Sequence, residues 1–328
     1  MPNDPALLQW SLPFLSPNAY NHRREWTLIV LNQSFPLPLF KQLWQATSWH
    51  CFADGGANRA FDAVGSLRND YIPDLIKGDL DSIKPSVREW YEAKGVEVIK
   101  DGDQDTTDLM KCVDAVRQRE KSSFFQTTQL GIIILGGLGG RLDQTIHTMS
   151  QLHKLRLSRE RTFVVTEDNV AWVLNSGEHL INLDLSLVGP SCGLLPVGVP
   201  STILTTQGLV WNLHEQISSF DGVMSTSNVL KHSQVRIKTS APIWWCVEHR
   251  ERAEAALTWQ ERAPSLFSAA LTWLPRHLTE LLTKIWFARR APLIKAASKP
   301  ISWTISTTSD VEQGLRGSSR RSSWSSEP

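Results

Sequence analysis

Cysteine is scarce and scattered. The four in 328 residues, Cys51, Cys112, Cys192 and Cys246, form no CxxC pair. That excludes a zinc ribbon and argues against a disulfide framework, so a reducing compartment, the cytoplasm, is expected. Excess charge is missing too. The 34 basic and 33 acidic side chains leave a net charge of +1, and no chain-wide basic field draws in nucleic acid. No apolar run nears the ~18 residues that a membrane helix needs. Residues 1–26 are interrupted by proline and carry no cationic stretch ahead of their apolar residues, a poor secretory signal. Neither a membrane nor a nucleic acid is therefore expected as a partner. What is present is 41 % hydrophobic and 20 % charged residues, the composition of a folded globular chain, and a length that suits about two domains.

The apolar pattern divides the chain. Strand-like runs at 26–31, 50–53, 74–76, 96–99 and 131–135 alternate with helix-like stretches that begin at 39 and cover 86–94 and 107–120. A further helix sets Leu142, Ile146, Met149, Leu152 and Leu155 on one face. Strands alternating with helices predict a layered α/β domain with a parallel sheet over 25–165. After residue 161 the texture changes to short β-like runs at 161–165, 171–174, 179–184, 202–206, 208–213 and 235–239, closing at 241–248. These predict an all-β, jelly-roll-like sandwich over 166–249. Residues 1–24 read as an N-terminal extension. Residues 250–328 read as a tail, partly helical and then disordered, since six of the nine residues 318–326 are serine.

Four acidic or glycine-rich clusters fall at the ends of the expected strands, where open α/β sheets bind ligands. The first is Ala53-Asp54-Gly55-Gly56-Ala57-Asn58-Arg59. Its paired glycines allow backbone N–H groups to approach an anion, or simply make a tight strand–helix turn. The second is PDLIKGDLDS at 73–82. In an extended chain Asp79 and Asp81 share a side. Two carboxylates held together require a cation, and Mg²⁺ is expected because it binds one or two carboxylates plus substrate phosphates. A solvated acidic loop turning at Gly78 is the plain alternative. The third cluster packs Asp101, Asp103, Asp105 and Asp108 into eight residues before a helix that Thr107 is placed to cap. Helix-start preference accounts for one or two of these carboxylates, not four. A metal–phosphate site shared with the second cluster accounts for the rest. The fourth, GGLGGRLDQ at 136–144, offers glycines to cradle phosphate and Arg141 for a forked phosphate contact. It lacks the Gly-Lys-Ser/Thr ending of a P-loop.

In this order, and followed by CGLLPVG at 192–198, TQGLVWNL at 206–213 and STSN at 225–228, the clusters resemble the thiamine pyrophosphokinases, with fungal members nearest in pattern. The likeness spans roughly residues 25–249. It implies a catalytic α/β domain, a thiamine-binding sandwich and a homodimer with active sites between subunits. The reaction it implies moves pyrophosphate from ATP to the hydroxyl of thiamine and releases AMP. By the same likeness Mg²⁺ is held by Asp79, Asp81 and Asp108, which with Arg141 form the catalytic set. ATP would meet Asp54, Gly55, Gly56, Asn58, Gln104, Asp105, Thr107, Gly139, Arg141 and Asp143. Thiamine would meet Trp211, Asn212, Ser225, Ser227 and Asn228. A cationic thiazolium gains from an aromatic face such as Trp211, although sandwich core explains a tryptophan equally well. Ser225, Ser227 and Asn228 read as a polar loop, and Trp244 and Trp245 as alternating residues of a last strand. Two other functions suit the carboxylates: a Mg²⁺-dependent phosphohydrolase, and a non-catalytic thiamine- or nucleotide-binding protein. The β-rich motifs argue against the first and the intact carboxylates against the second.

Overall fold

The computed structural model describes residues 7–122 and 129–250. The expected tail from 251 onward lies outside the described residues. Strands and helices alternate through the first half: β1 (Leu8–Ser11), β2 (Trp26–Val30), α1 (Leu37–Gln45), β3 (Trp49–Ala53), α2 (Gly56–Val64), β4 (Leu75–Gly78), α3 (Pro85–Ala93), β5 (Glu97–Lys100), α4 (Asp108–Ser122), β6 (Gly131–Leu135) and α5 (Leu142–Leu155). Strands alone follow: β7 (Thr162–Val165), β8 (Asn169–Leu174), β9 (Gly177–Asn182), β10 (Val188–Leu195), β11 (Thr202–Gln207), β12 (Gln216–Ser218), β13 (Ser225–Val229), β14 (Gln234–Thr239) and β15 (Ile243–His249).

Two sheets result. One has ten strands in the order β13-β10-β15-β8-β7-β6-β2-β3-β4-β5, the other five in the order β1-β9-β14-β11-β12. From β7 through β6, β2, β3 and β4 to β5 every pairing is parallel. The central strands β2 and β6 are buried at every residue, as a sheet covered on both faces requires. Their side chains alternate between two cores. Leu28, Val30, Ile133 and Leu135 face one, and Ile29, Ile132 and Ile134 face the other. Trp244 and Trp245 on β15 part in the same way, the alternation expected of a strand.

The expected α/β half followed by a β-rich half is present. Several finer expectations change. The β-rich half is not detached from the parallel sheet. Antiparallel pairing of β7 with β8, Val164 opposite Ala171, carries the parallel sheet straight into β8, β15, β10 and β13. The residue pattern reveals that strands exist; it says nothing about which strand lies beside which. Residues 7–24 are built into the body rather than appended to it. β1 pairs parallel to β9, and Phe14 and Leu15 are buried in the larger core. The segment 208–213 is not a strand: it makes one isolated β-bridge, Leu209 to Leu230, and opens at Gly208 with a positive φ of 93°. The stretch read as a polar loop is strand β13. β10 escaped notice because its sequence, VGPSCGLL, hides a strand behind glycine and proline. On α5 the apolar stripe is only half covered: Leu152 and Leu155 are buried, while Leu142 is 74 % and Ile146 53 % exposed.

Besides its pairing with β9, the N-terminal strand makes one side-chain hydrogen bond to it. The Trp10 indole N–H donates to His179 Nδ1 at 3.0 Å, so the ring proton sits on Nε2, 2.8 Å from the Asn175 carbonyl. Burial holds the His179 pKa below its usual 6.5, against the opposing pull of the Asn175 bond. A group whose folded pKa is depressed contributes stability that is full above its unfolded pKa and is lost as pH falls below it. Denaturant midpoints should therefore drop between pH 7.5 and 5.5. The drop should shrink in His179→Gln, with His147 and His153, also held low by burial, supplying the remainder.

Candidate functional site

Three carboxylates converge at the carboxyl ends of β3 and β4. Asp54 follows β3, Asp79 follows β4 and Asp108 opens α4. One ligand atom from each lies within 4.8 Å of the other two. Asp54 turns the chain at a left-handed φ of 40°, a conformation that aspartate tolerates better than most residues. Its backbone N–H donates to the Lys77 carbonyl at 3.1 Å. Its buried carboxylate accepts the N–H groups of Ser82 and Ile83 at 2.9 and 3.0 Å. Asp108 Oδ1 accepts the Asp79 N–H at 3.3 Å. Gly78 makes this closeness possible, since a Cβ there would stand 2.7 Å from Asp54 Cβ and 2.8 Å from Asp108 Oδ1.

The electrostatics match the crowding. Burial raises the Asp54 pKa, with Asp81 adding to the rise and the two loop N–H groups offsetting part of it. Burial raises Asp108 as well, followed by the charges of Asp54 and Asp79. Three oxygen donors that repel one another suit a hard divalent cation. Two lysines are buried nearby in sequence: Lys111 Nζ is 3.7 Å from Asp108 Oδ1, and Lys77 Nζ is 3.4 Å from Asp101 Oδ2, outside the three.

The expected site residues separate into groups. Asp81 does not join the three. Leu80 adopts a left-handed φ of 60°, which breaks the alternation that would set Asp79 and Asp81 on one side. Instead the Asp81 N–H donates to Asp79 Oδ1 and the Asp81 carboxylate accepts the Ser82 hydroxyl, exposed at the rim. Of the four aspartates before α4 only Asp108 enters the centre. Asp101 pairs with Lys77, and Asp103 accepts the Asp105 N–H and the Thr106 hydroxyl in a loop that leaves Asp105 and Gln104 exposed. Thr107 does not cap α4 with its side chain. Its carbonyl accepts the Lys111 N–H, while its hydroxyl is buried with no partner. Gly55 and Gly56 allow close packing, since a Cβ on either would strike Asn32 or the Val30 carbonyl. Asn58 bridges the Ser82 carbonyl and the Lys84 N–H.

In the glycine loop, Gly136, Gly137 and Gly140 all have positive φ. Gln33 pins this loop by accepting the Gly137 N–H at 2.7 Å and donating to the Gly139 carbonyl. Arg141 places its fork on Asp143, with both side chains exposed. The second-half residues form their own group. Asn228 accepts the Trp211 N–H and donates to the Trp211 carbonyl and the Ser225 hydroxyl, Ser227 sits beside it at φ 52°, and Asn212 Oδ1 accepts the Leu209 N–H. Trp211 is 61 % exposed and is not core. Sequence reasoning missed Gln33, Lys77 and Lys111, and it placed Asp54 with the nucleotide rather than with the carboxylates. The signal for Lys77 was there: a lysine within a strand that is otherwise apolar.

A carboxylate centre at the carboxyl edge of a parallel sheet that runs on into antiparallel strands places the chain among the α/β proteins whose strand ends can hold a divalent cation and a phosphorylated ligand. Residues 40–165 match the family described as thiamin pyrophosphokinase, catalytic domain, and residues 178–244 the thiamin pyrophosphokinase, vitamin B1 binding domain. Thiamine pyrophosphokinase 1 of Oryza sativa is 38 % identical over 71 % of this chain and 91 % of its own length. Thiamine pyrophosphokinase of Saccharomyces cerevisiae is 30 % identical over 62 % of this chain and 78 % of its own. The crystal structure of the yeast enzyme superposes with a TM-score of 0.67 at 27 % identity, covering 76 % of this chain and 93 % of that one. The chain belongs to the thiamine pyrophosphokinase family. It is accordingly an enzyme, a transferase of the thiamine diphosphokinase type, and the hydrolase and non-catalytic readings are not favoured.

Gly78→Ala tests the packing of the centre. The added Cβ must push Asp54 and Asp108 apart, at about 1–3 kcal/mol for overpacking. A displacement of this kind can cost about 10²-fold in turnover. The expected result is a folded protein with a modestly lower Tm and a kcat reduced far beyond what that loss explains.

Proposed function

We propose that the chain transfers the pyrophosphoryl group of ATP to the hydroxyl of thiamine, with Mg²⁺ held by Asp54, Asp79 and Asp108. The observation that carries this reading is the convergence of those three carboxylates within 4.8 Å in a chain whose relatives are thiamine pyrophosphokinases. The thiamine oxygen forms a bond to the β-phosphorus, the bond from that phosphorus to the bridging oxygen of AMP breaks, and the hydroxyl proton leaves to solvent. Such transfers depend on in-line positioning and charge neutralisation. When bound, the ion neutralises negative charge on the phosphates. The chain's own groups do the rest. Asp54, tied to the loop at 82–83, holds the centre to the sheet, and Asp81 lies at its rim. Arg141 exchanges Asp143 for phosphate oxygens, a swap available to an exposed forked pair. The loop that carries Gln104, Asp105 and Thr107 leads directly into Asp108 and is assigned to the phosphate chain, and Gly139 belongs to the loop that meets the nucleotide.

Thiamine is assigned to Trp211, Asn212, Ser225, Ser227 and Asn228, and this assignment supports a homodimer. β13 lies seven strand spacings from β3 in the ten-stranded sheet, roughly 30 Å at the usual interstrand distance. That spacing favours delivery of thiamine to the carboxylates by a second copy of the chain. Val210, bonded to Val229 of β13, and Val223 and Met224, which lead into that strand, are exposed and supply apolar surface at this edge for such a contact. The four free cysteines support a cytoplasmic setting. Among the described residues no helix is long and apolar enough to cross a membrane.

The direct test is AMP formation from ATP and Mg²⁺ with and without thiamine. AMP should appear only with thiamine, and equal release without it would sink the proposal. Asp79→Asn should lower turnover by about 10²–10³, the size of loss seen when a charge-stabilising group is removed from a preorganised site, with little change in Tm. Asn228→Ala frees both backbone groups of Trp211, worth about 1–3 kcal/mol where such groups are left unpaired. It should raise the KM for thiamine while leaving the KM for ATP near its original value.

A further inference from the structure

The buried lysines Lys77 and Lys111 have no part in the reaction as proposed, yet they are costly to place. An ammonium taken out of water is tolerated only against compensating charge. Lys77 finds that charge in Asp101, outside the carboxylate centre. Lys111 finds it inside the centre: its side chain is 2 % exposed and its ion-pair partner is Asp108 at 3.7 Å, one turn earlier on α4.

Two roles are open to Lys111, positioning Asp108 or cancelling charge, and the distances decide between them. At 3.7 Å the contact is longer than a hydrogen bond, so it orients Asp108 weakly. The Asp79 N–H at 3.3 Å and the start of α4 already set where that carboxylate lies. Coulomb attraction, by contrast, persists at this distance and is strengthened by burial. We infer that Lys111 is a built-in counter-cation that lowers the affinity of the carboxylate centre for a free divalent ion. This inference rests on the metal reading proposed above. The consequence is that the nucleotide-free chain holds the ion loosely, and the ion binds well only when polyphosphate oxygens join the three carboxylates. Lys111 thus acts on the site through Asp108 and is not itself a catalytic residue.

The test uses the full chain without nucleotide. Mn²⁺ binding is followed by the loss of the free-ion paramagnetic resonance signal, and thermal melting is recorded with and without Mg²⁺. Lys111→Met should melt lower than the wild type in the absence of metal. It should bind Mn²⁺ on the order of tenfold tighter and gain more Tm from Mg²⁺. Lys111→Arg, which keeps the charge, should behave as the wild type, and Lys111→Gln replaces the methionine variant if that one does not fold. A purely structural lysine would lower Tm equally with and without metal and leave Mn²⁺ affinity unchanged; that result overturns the inference. If the wild type binds Mn²⁺, Asp79→Asn loses it and the neutral variants bind no tighter, the inference about Lys111 fails alone. If the wild type binds no Mn²⁺ with or without ATP, the metal reading fails and takes this inference with it.

Discussion

The carboxylate of Asp54, buried and tied to the backbone N–H groups of Ser82 and Ile83, is the contact on which the chemistry of this chain depends. It joins the turn after β3 to the loop after β4. Those two segments carry two of the three converging carboxylates. The arrangement is unfavourable in every local respect: a left-handed backbone at Asp54, another at Leu80, and a carboxylate whose pKa burial raises. Strain of this kind persists only where surrounding structure over-determines it. Here Asn58 bridges the same loop from α2, and Gly78 leaves the space that Asp54 and Asp108 occupy.

Around that contact three carboxylates form the centre, with the buried ammonium of Lys111 3.7 Å from Asp108, while the buried ammonium of Lys77 pairs with Asp101 instead. The remaining acidic residues of the neighbouring loops shape backbone. Asp103 orders the turn before α4 through the Asp105 N–H and the Thr106 hydroxyl. An acidic run that looks uniform in sequence therefore divides into one member of the carboxylate centre, Asp108, one ion-pair partner, Asp101, one turn-former, Asp103, and one exposed residue, Asp105. The division follows from which carboxylates the fold removes from water, where charge interactions strengthen.

The ten-stranded sheet gives the molecule its second constraint. Because β7 pairs with β8, catalytic and thiamine-assigned regions share one continuous sheet instead of two hinged domains. Their separation is then set by strand count. Trp211, clamped through its own backbone by Asn228, presents an exposed ring at the edge far from the carboxylates. Meanwhile the apolar stripe of α5 remains open at Leu142 and Ile146. Both features leave surface that a monomer does not use, consistent with the proposed pairing of two chains.

Much was legible from the sequence because local rules govern it. The runs WTLIV and GIIIL are buried strands in any layered α/β sheet, Gly95 stops α3 at a positive φ, and the ordered clusters pointed to the family that the comparisons establish. The sequence by itself also determined that carboxylates would crowd the strand ends. Only the tertiary structure decided which of them meet. Asp79 and Asp81 part because Leu80 leaves the extended region, a φ that residue spacing does not encode. Asp54 joins Asp79 and Asp108 because β3 and β4 are neighbours in the sheet and α4 packs over them, contacts between residues 25 to 54 positions apart. Periodicity reports which face a side chain takes within its own element. It does not report which element lies opposite, and both the carboxylate centre and the shared sheet are made of such pairings.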